Sequence, residues 1–532
     1  MRTFTRPKTR YFFAVILLCL MGAVRGRAQV LAQRNWAGSG VSVEPWWRRA
    51  VFYRVDPKMF QDSNGDGKGD VAGLAQRLDY LQSLGVDALI LQARSGELSA
   101  EGVDDLARAA IGHSLRVLVE LGAPASQGDD AKYVAAARQW LAQGAAGLYL
   151  PTRALEAVDG SGHIALLLHQ LRALTDSFPG GRVLLADAPS RPDQDLVKAL
   201  AKETQLTASA AIGVASGRSA TAASLRAQLT AALSAGSAAT DGTAVDSTAG
   251  HAVVIAKKMA PGRRGRTRAQ RHVSAVAHEG NLLLTAAPVP AEMDVAAKVS
   301  LRRALAVMLL ASRAAVVLEY GQELGLDAAG TREPLMQWTA GNVTRRPLAP
   351  TAAVAPVPQT STAGSYKPYI PPMRKDLFPP PRMPEVVESD EVMPVLIDPE
   401  ALQGFTAGIL DATLAAPNGA TANVAMEQVD PRSLLNLYRH LIQIHHDNAT
   451  VRNGAESLLD FDAVDAVVWV RRAPASSRTS ATVVAACNLS DKPVALGDLG
   501  GMRVRGLRSL LSVAPMGAGV VAAGAVLVGE TR

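Results

Sequence analysis

Apolar positions along residues 71–188 follow two rhythms in turn. In VAGLAQRLDYLQSLGVDALIL (71–91), Leu74, Leu78, Leu81 and Leu84 fall on one helical stripe, and after Gly85 the spacing gives way to a short apolar run. This predicts an amphipathic helix feeding a buried strand. The same order recurs in LARAAIGHSLRVLVELG (106–122), AARQWLAQGAAGLYL (136–150) and LHQLRALTDSFPGGRVLLADA (168–188). Strands that are apolar throughout, rather than alternating, are buried on both faces, so the pattern predicts a parallel sheet covered by helices. Open doubly wound and closed barrel forms share this period, which does not choose between them.

Two stretches break the rhythm. Residues 207–250 are dominated by Ala, Ser, Thr and Gly and read as a low-complexity insertion with only a poor helix near Leu225–Leu233. Residues 346–396, including PPMRKDLFPPPRMP, read as an extended Pro-rich insertion. LLNLYRHLIQIHHD (434–447) restores a helix. Beyond residue 456, alternating segments such as AVVWVRR and ATVVAACNLS predict a small antiparallel β domain over 456–532, following an α/β unit over 40–455.

With 532 residues, the chain can bury a substantial core. Its amino terminus joins Arg2, Arg6, Lys8 and Arg10 to an apolar run from Tyr11 to about Val24, then Gly26-Arg27-Ala28. That layout is a secretory signal over 1–28, with secretion or a periplasmic location expected. The run falls short of the roughly 20 residues a bilayer span needs, leaving an uncleaved anchor as the alternative. Removing the signal leaves Cys487 alone, so no internal disulfide forms. The net charge of +7 is concentrated only between Lys257 and Arg271, without interleaved aromatics. This reads as a solvated loop, and no nucleic-acid partner is expected.

WWRRAVFYRVDPKMFQDSNGDGKGD (46–70) resembles the first barrel strand and following loop of glycoside hydrolase family 13, in its α-glucosidase and oligo-1,6-glucosidase branch. In the same order, VVLEYGQELGL (316–326), TREPLMQW (331–338), NVAMEQVDPRSLLNLYRHLIQIHHD (423–447) and VVAACNLSDKPV (483–494) resemble later segments of that family. The resemblance implies an α/β fold: a (β/α)8 TIM barrel followed by a small antiparallel β domain, with function on the loops at the carboxyl ends of the strands. It also implies a Ca²⁺ held by Asp62, Asn64, Asp66, the Lys68 carbonyl and Asp70. Hard oxygens at alternate positions around glycines are the chemistry such an ion needs.

For catalysis, the resemblance implies departures. Retaining cleavage of a glycosidic bond needs two carboxyl groups about 5 Å apart. In the frame fixed by Trp140, Leu141, Gly144 and Gly147, Tyr149 stands at the family's Arg and Pro151 at its nucleophile. Asp187 stands at the acid position. The expected sugar-orienting groups are replaced by Pro124 and Ala125 on the third strand, and by Ala286, Ala287 and Pro288 on the seventh. The strand ends thus read as stripped of polar groups, above shortened active-site loops. The expectation is a catalytically inactive binding or scaffold protein, its partner an unidentified protein or an oligosaccharide. A lectin-like carbohydrate binder remains open. So does an active glycosidase pairing Asp187 with Glu120, Glu156 or Asp159.

Other candidates carry less. His445 and His446 are adjacent on a helix, so their rings point about 100° apart and read as helix-end histidines rather than a metal pair. His163 and His169 read as structural. Phosphate loops of the G-x-x-x-x-G-K-[ST] kind and Gly-x-Ser-x-Gly elbows are absent.

Overall fold

The computed structural model describes residues 45–92, 98–122, 130–156, 161–189, 194–206, 208–218, 220–241, 273–276, 281–328, 333–339, 405, 416–459, 465–473, 481–496, 498–499, 502–503, 507–512, 515–516 and 520–531. Residues 1–28, Pro124, Ala125, Asp159, the Lys257–Arg271 run and 346–396 lie outside them.

Eight parallel strands form a nearly closed barrel: β1 (Val51–Val55), β2 (Ala88–Gln92), β3 (Arg116–Glu120), β4 (Gly147–Leu150), β5 (Val183–Ala186), β6 (Ala208–Ile212), β7 (Leu282–Ala286) and β8 (Ala315–Glu319). Their ladder runs β5-β4-β3-β2-β1-β8-β7-β6. At the seam between β5 and β6, Gln205 stands in for a strand partner. Its backbone N–H donates to the Leu184 carbonyl (3.1 Å), and its side-chain oxygen accepts from the Leu184 N–H (2.6 Å).

Side chains alternate across each strand, which sorts the core into two shells. Phe52, Ala88, Ile90, Leu118, Tyr149, Val183, Leu185, Leu283, Ala315 and Val317 fill the barrel interior. Their neighbours Val51, Tyr53, Val55, Leu89, Leu91, Val117 and Val119 face the helices. The stripe Leu74, Leu78, Leu81 and Leu84 is buried as its spacing predicts. However, the single helix expected there breaks at Arg77 into Val71–Gln76 and Leu78–Leu84. The Arg77 guanidinium lies 4.1 Å from the ring centre of Trp338, and its Nε donates to Gln61 (2.7 Å). Asp70 caps the first piece and Gly85, at φ 93°, ends the second.

The reading of 207–250 as an insertion is corrected. Ala208–Ile212 is barrel strand β6, and Ala222–Asp241 is a helix whose Ala222, Leu225, Leu229 and Leu233 are buried. Small residues hid the strand, because ASAAI has few of the β-branched and aromatic side chains that mark one.

The carboxy-terminal sheet is antiparallel. Ala455–Leu459, Ala466–Arg472, Thr482–Asn488, Val526–Thr531 and Arg508–Ser512 pair in that order. Val273–Val276, from before β7, adds a sixth strand along Ala455–Leu459. A buried ion pair joins sheet to barrel: Arg471 reaches Glu456 at 3.3 Å, the Gly454 carbonyl at 3.0 Å and the Ala311 carbonyl at 3.4 Å.

Candidate functional site

Barrel parity carries inward positions up to the carboxyl rim, and there the lining turns polar. Beyond Phe52 comes Arg54, beyond Ile90 Gln92, beyond Leu118 Glu120, beyond Leu185 Asp187, beyond Leu283 Thr285 and beyond Val317 Glu319. The register sets Arg54 against Glu319, and Glu120 against both Gln92 and Tyr149. Arg54 is clasped from both sides. Its Nε and Nη2 donate to Glu120 at 2.6 and 3.0 Å, and its Nη1 to Glu319 at 3.0 and 3.2 Å.

The expectation of stripped strand ends is therefore corrected. Ala286 ends β7 and Ala287 and Pro288 follow it, but an acidic layer around one guanidinium lines the mouth. Burial works against the charge on Arg54, yet Glu319 and Glu120 beside it hold it protonated above its ordinary range. Burial pushes the Glu319 carboxyl up, with Arg54 pulling the other way. Period-two counting along each strand would have found these residues, whereas comparing strand ends with family motifs passed over Arg54 and Glu319.

Pro151 and Asp187 lie level with each other, because Leu150 pairs with Ala186 and the Asp187 N–H donates to the Leu150 carbonyl (3.3 Å). Pro151 is half-buried, and its side chain is a saturated ring with no polar atom. Asp187 Oδ1 accepts from the Thr152 N–H at 2.6 Å and the Thr152 hydroxyl at 2.5 Å. Burial raises the Asp187 pKa above the usual carboxylate value; the Thr152 bonds and Arg54 oppose this, and the charge of Glu120 adds to it. Tyr149 is buried in the same cluster, where burial and then Asp187 keep its phenol protonated. Of the three partners proposed for Asp187, Glu120 is in this cluster, Glu156 ends the short helix Thr152–Glu156, and Asp159 is not described.

The Asp62–Asp70 loop is a chain of side-chain acceptors on backbone donors. Asp62 accepts from the N–H groups of Asn64, Gly65 and Gly67 at 3.0, 2.8 and 2.8 Å, Asn64 from Asp66 at 2.9 Å, and Asp66 from Lys68 at 2.8 Å. Gly65 and Gly67 take φ 82° and 84°, which side chains with a Cβ rarely adopt. Asn64 and Asp66 keep lone pairs beyond these bonds, and with the Lys68 carbonyl they are oxygens of the kind a hard cation takes. Asp70 fits less well, since Ser63 and the Gly73 N–H occupy its carboxylate. Among the described residues no three His, Cys, Asp or Glu side chains converge, so any ion here rests on the mixed amide, carbonyl and carboxylate set.

The histidines have structural partners. The His445 ring nitrogens face the carbonyls of Leu310 (2.9 Å) and Arg49 (3.0 Å), and burial lowers its pKa to about 4. His446 faces the Gly85 carbonyl (3.2 Å) instead. His163 pairs with Asp130 at 2.6 Å and His169 with Glu203 at 3.4 Å. Cys487 is buried, and burial raises its thiol pKa.

Residues 54–93 match the alpha-amylase family, described as the alpha amylase catalytic domain. Over 48 residues the chain is 56% identical to a glucan 1,6-alpha-glucosidase of Streptococcus pneumoniae serotype 4, a match covering 9% of each protein. Over 46 residues it is 54% identical to an oligo-1,6-glucosidase of Halalkalibacterium halodurans, covering 9% of this chain and 8% of the relative. The chain thus spans less than a tenth of the length of these curated relatives. In fold it is similar over 92% of its length to all of the solved alpha-glucosyl transfer enzyme XgtA, at 17% identity and a TM-score of 0.53. It is similar over the same share to all of a trehalulose synthase, at 15% identity and a TM-score of 0.57.

Proposed function

We propose that this chain, a relative of glycoside hydrolase family 13 by its residues 54–93 and its barrel, is a non-hydrolysing member that acts as a binding protein through the barrel mouth. One observation carries the reading: Pro151 stands level with Asp187, where the family's chemistry requires a nucleophilic carboxylate. The proline side chain carries no nucleophilic atom to trap a sugar. The neighbouring acids are engaged by protein groups, Glu120 and Glu319 by Arg54 and Asp187 by Thr152. A rim carrying the carboxyls of Asp187 and Glu319 still suits hydroxyl groups, so the ligand class is a neutral oligosaccharide. Titration calorimetry with maltose and isomaltose is expected to show saturable binding with no product released. Absence of saturable heat with either sugar would count against the mouth as the site.

A second reading has one observation in its favour. Burial raises the Asp187 pKa and the charge of the neighbouring Glu120 adds to the shift, which suits Asp187 to the part of an acid. In that reading the pair hydrolyses an α-glucoside with Glu120 in a relocated role.

Export follows from the signal layout of residues 1–28. No helix among the described residues is long and apolar enough to cross a membrane. For the Asp62–Asp70 loop we propose a structural Ca²⁺ that stabilises the turn and takes no part in chemistry. Calcium at millimolar concentration is expected to raise the melting temperature and a chelator to lower it. An Asp62→Ala, Asp66→Ala variant should show no calcium response, and an unchanged wild-type melt would remove the ion from the account.

A further inference from the structure

We propose that Thr152 is a two-position hydroxyl switch that lets Asp187 take up and release a proton while it faces a ligand in the barrel mouth. The inference rests on the reading of the mouth as a ligand site and assigns the working atom within it. Thr152 is 1% exposed, and its Oγ1 lies between two acceptors: Asp187 Oδ1 at 2.5 Å and the Ala188 carbonyl at 3.0 Å. A hydroxyl has one proton, so it can serve only one of them at a time. With Asp187 ionised, the proton points at Oδ1, which also takes the Thr152 N–H. With Asp187 protonated on Oδ1, the acid donates to the Thr152 oxygen, and the Thr152 proton turns to the Ala188 carbonyl. Both states leave this buried side of the carboxyl fully hydrogen-bonded. Oδ1 of Asp187 is hydrogen-bonded in both charge states, and in the ionised state the half-buried Ala188 carbonyl is the group that gives up the Thr152 proton.

The remaining surroundings make that freedom useful. Arg54 from β1 favours the carboxylate and Glu120 from β3 favours the acid, while the neutral Tyr149 phenol from β4 lies beside Asp187 and Glu319 from β8 pairs with Arg54. Opposed charges of this kind leave the protonation state to be decided by what enters. Oδ2 has no hydrogen-bond partner among the described residues, and Asp187 is half-buried rather than sealed. Oδ2 therefore presents either an acceptor to a ligand hydroxyl or, as the acid, a donor to a ligand oxygen. The proton exchanged in ligand-free protein comes from solvent and returns to it.

The test is a carbon-13 titration of the full chain labelled at aspartate Cγ, with Asp187→Asn to assign the resonance. Wild-type Asp187 is expected to titrate above the ordinary aspartate value. Thr152→Val, which removes the hydroxyl and keeps the shape, should raise the midpoint further by about one pH unit, because the carboxylate loses a donor. Thr152→Ser should restore the wild-type midpoint. A wild-type midpoint at or below the ordinary value overturns the proposal without any variant. So does a Ser variant that titrates away from wild type, or a folded Val variant that titrates with it. The titration needs no sugar, so a failure of maltose and isomaltose to bind would remove the binding reading and leave this result standing.

Discussion

Replacing Arg471 with methionine is expected to cost about 3 kcal/mol of unfolding free energy, because it leaves Glu456 a buried charge with only the backbone and charge of Arg313 to offset it. The two side chains are 1% and 2% exposed, so water cannot screen what remains. Burial already pulls Arg471 down to about 10 and pushes Glu456 up, and their mutual attraction offsets part of that penalty. The same guanidinium donates to the Ala311 and Gly454 carbonyls, so its loss also loosens the carboxy-terminal sheet from the barrel. The double variant Glu456→Leu, Arg471→Met removes both charges and should recover most of the deficit. Urea unfolding of the three proteins checks this, and a double variant as unstable as the single one would show that the carbonyl contacts dominate.

Arg54→Met is expected to cost less, about 2 kcal/mol, since the pair partners Glu120 and Glu319 keep 12% and 38% side-chain exposure. Its signature is in the pH dependence. Without the guanidinium, the Glu319 carboxyl, which burial already pushes up against the pull of Arg54, should rise further above its unfolded value. Stability contributed by a group so shifted is present below the unfolded pKa and lost as pH rises through the folded one. The deficit should thus be largest near neutrality and shrink as pH falls through the carboxylate range. A deficit independent of pH would mean that Arg54 acts through packing on Tyr149, whose ring centre lies 5.9 Å from it.

The fold was legible where side chains are large. Leucine stripes and the Val, Leu and Ile runs of β2 to β5 announce alternating helices and strands, and the amino-terminal motif supplies the barrel that period alone leaves open. β6 was not legible, because alanine and serine carry little signal for either period. The mouth was half legible. Tyr149, Pro151 and Asp187 were located by the fourth and fifth strand motifs, and the register places them side by side. Arg54, Gln92 and Glu319 escaped because each lies in a segment that reads as apolar strand body, and only the inward phase of the barrel turns them into a shared layer. Thr152 carried no sequence signal at all. Its role depends on the Asp187 and Ala188 oxygens that tertiary pairing brings to it.

Turnover separates a sugar-binding protein from a hydrolase. The purified chain, incubated with maltose, isomaltose and an aryl α-glucoside, is compared with Asp187→Ala and with a Pro151→Asp, Tyr149→Arg variant. The wild-type chain and Asp187→Ala alike are expected to release no glucose above the rate without protein. Sustained hydrolysis by the wild-type chain that disappears in Asp187→Ala would contradict the non-hydrolysing role.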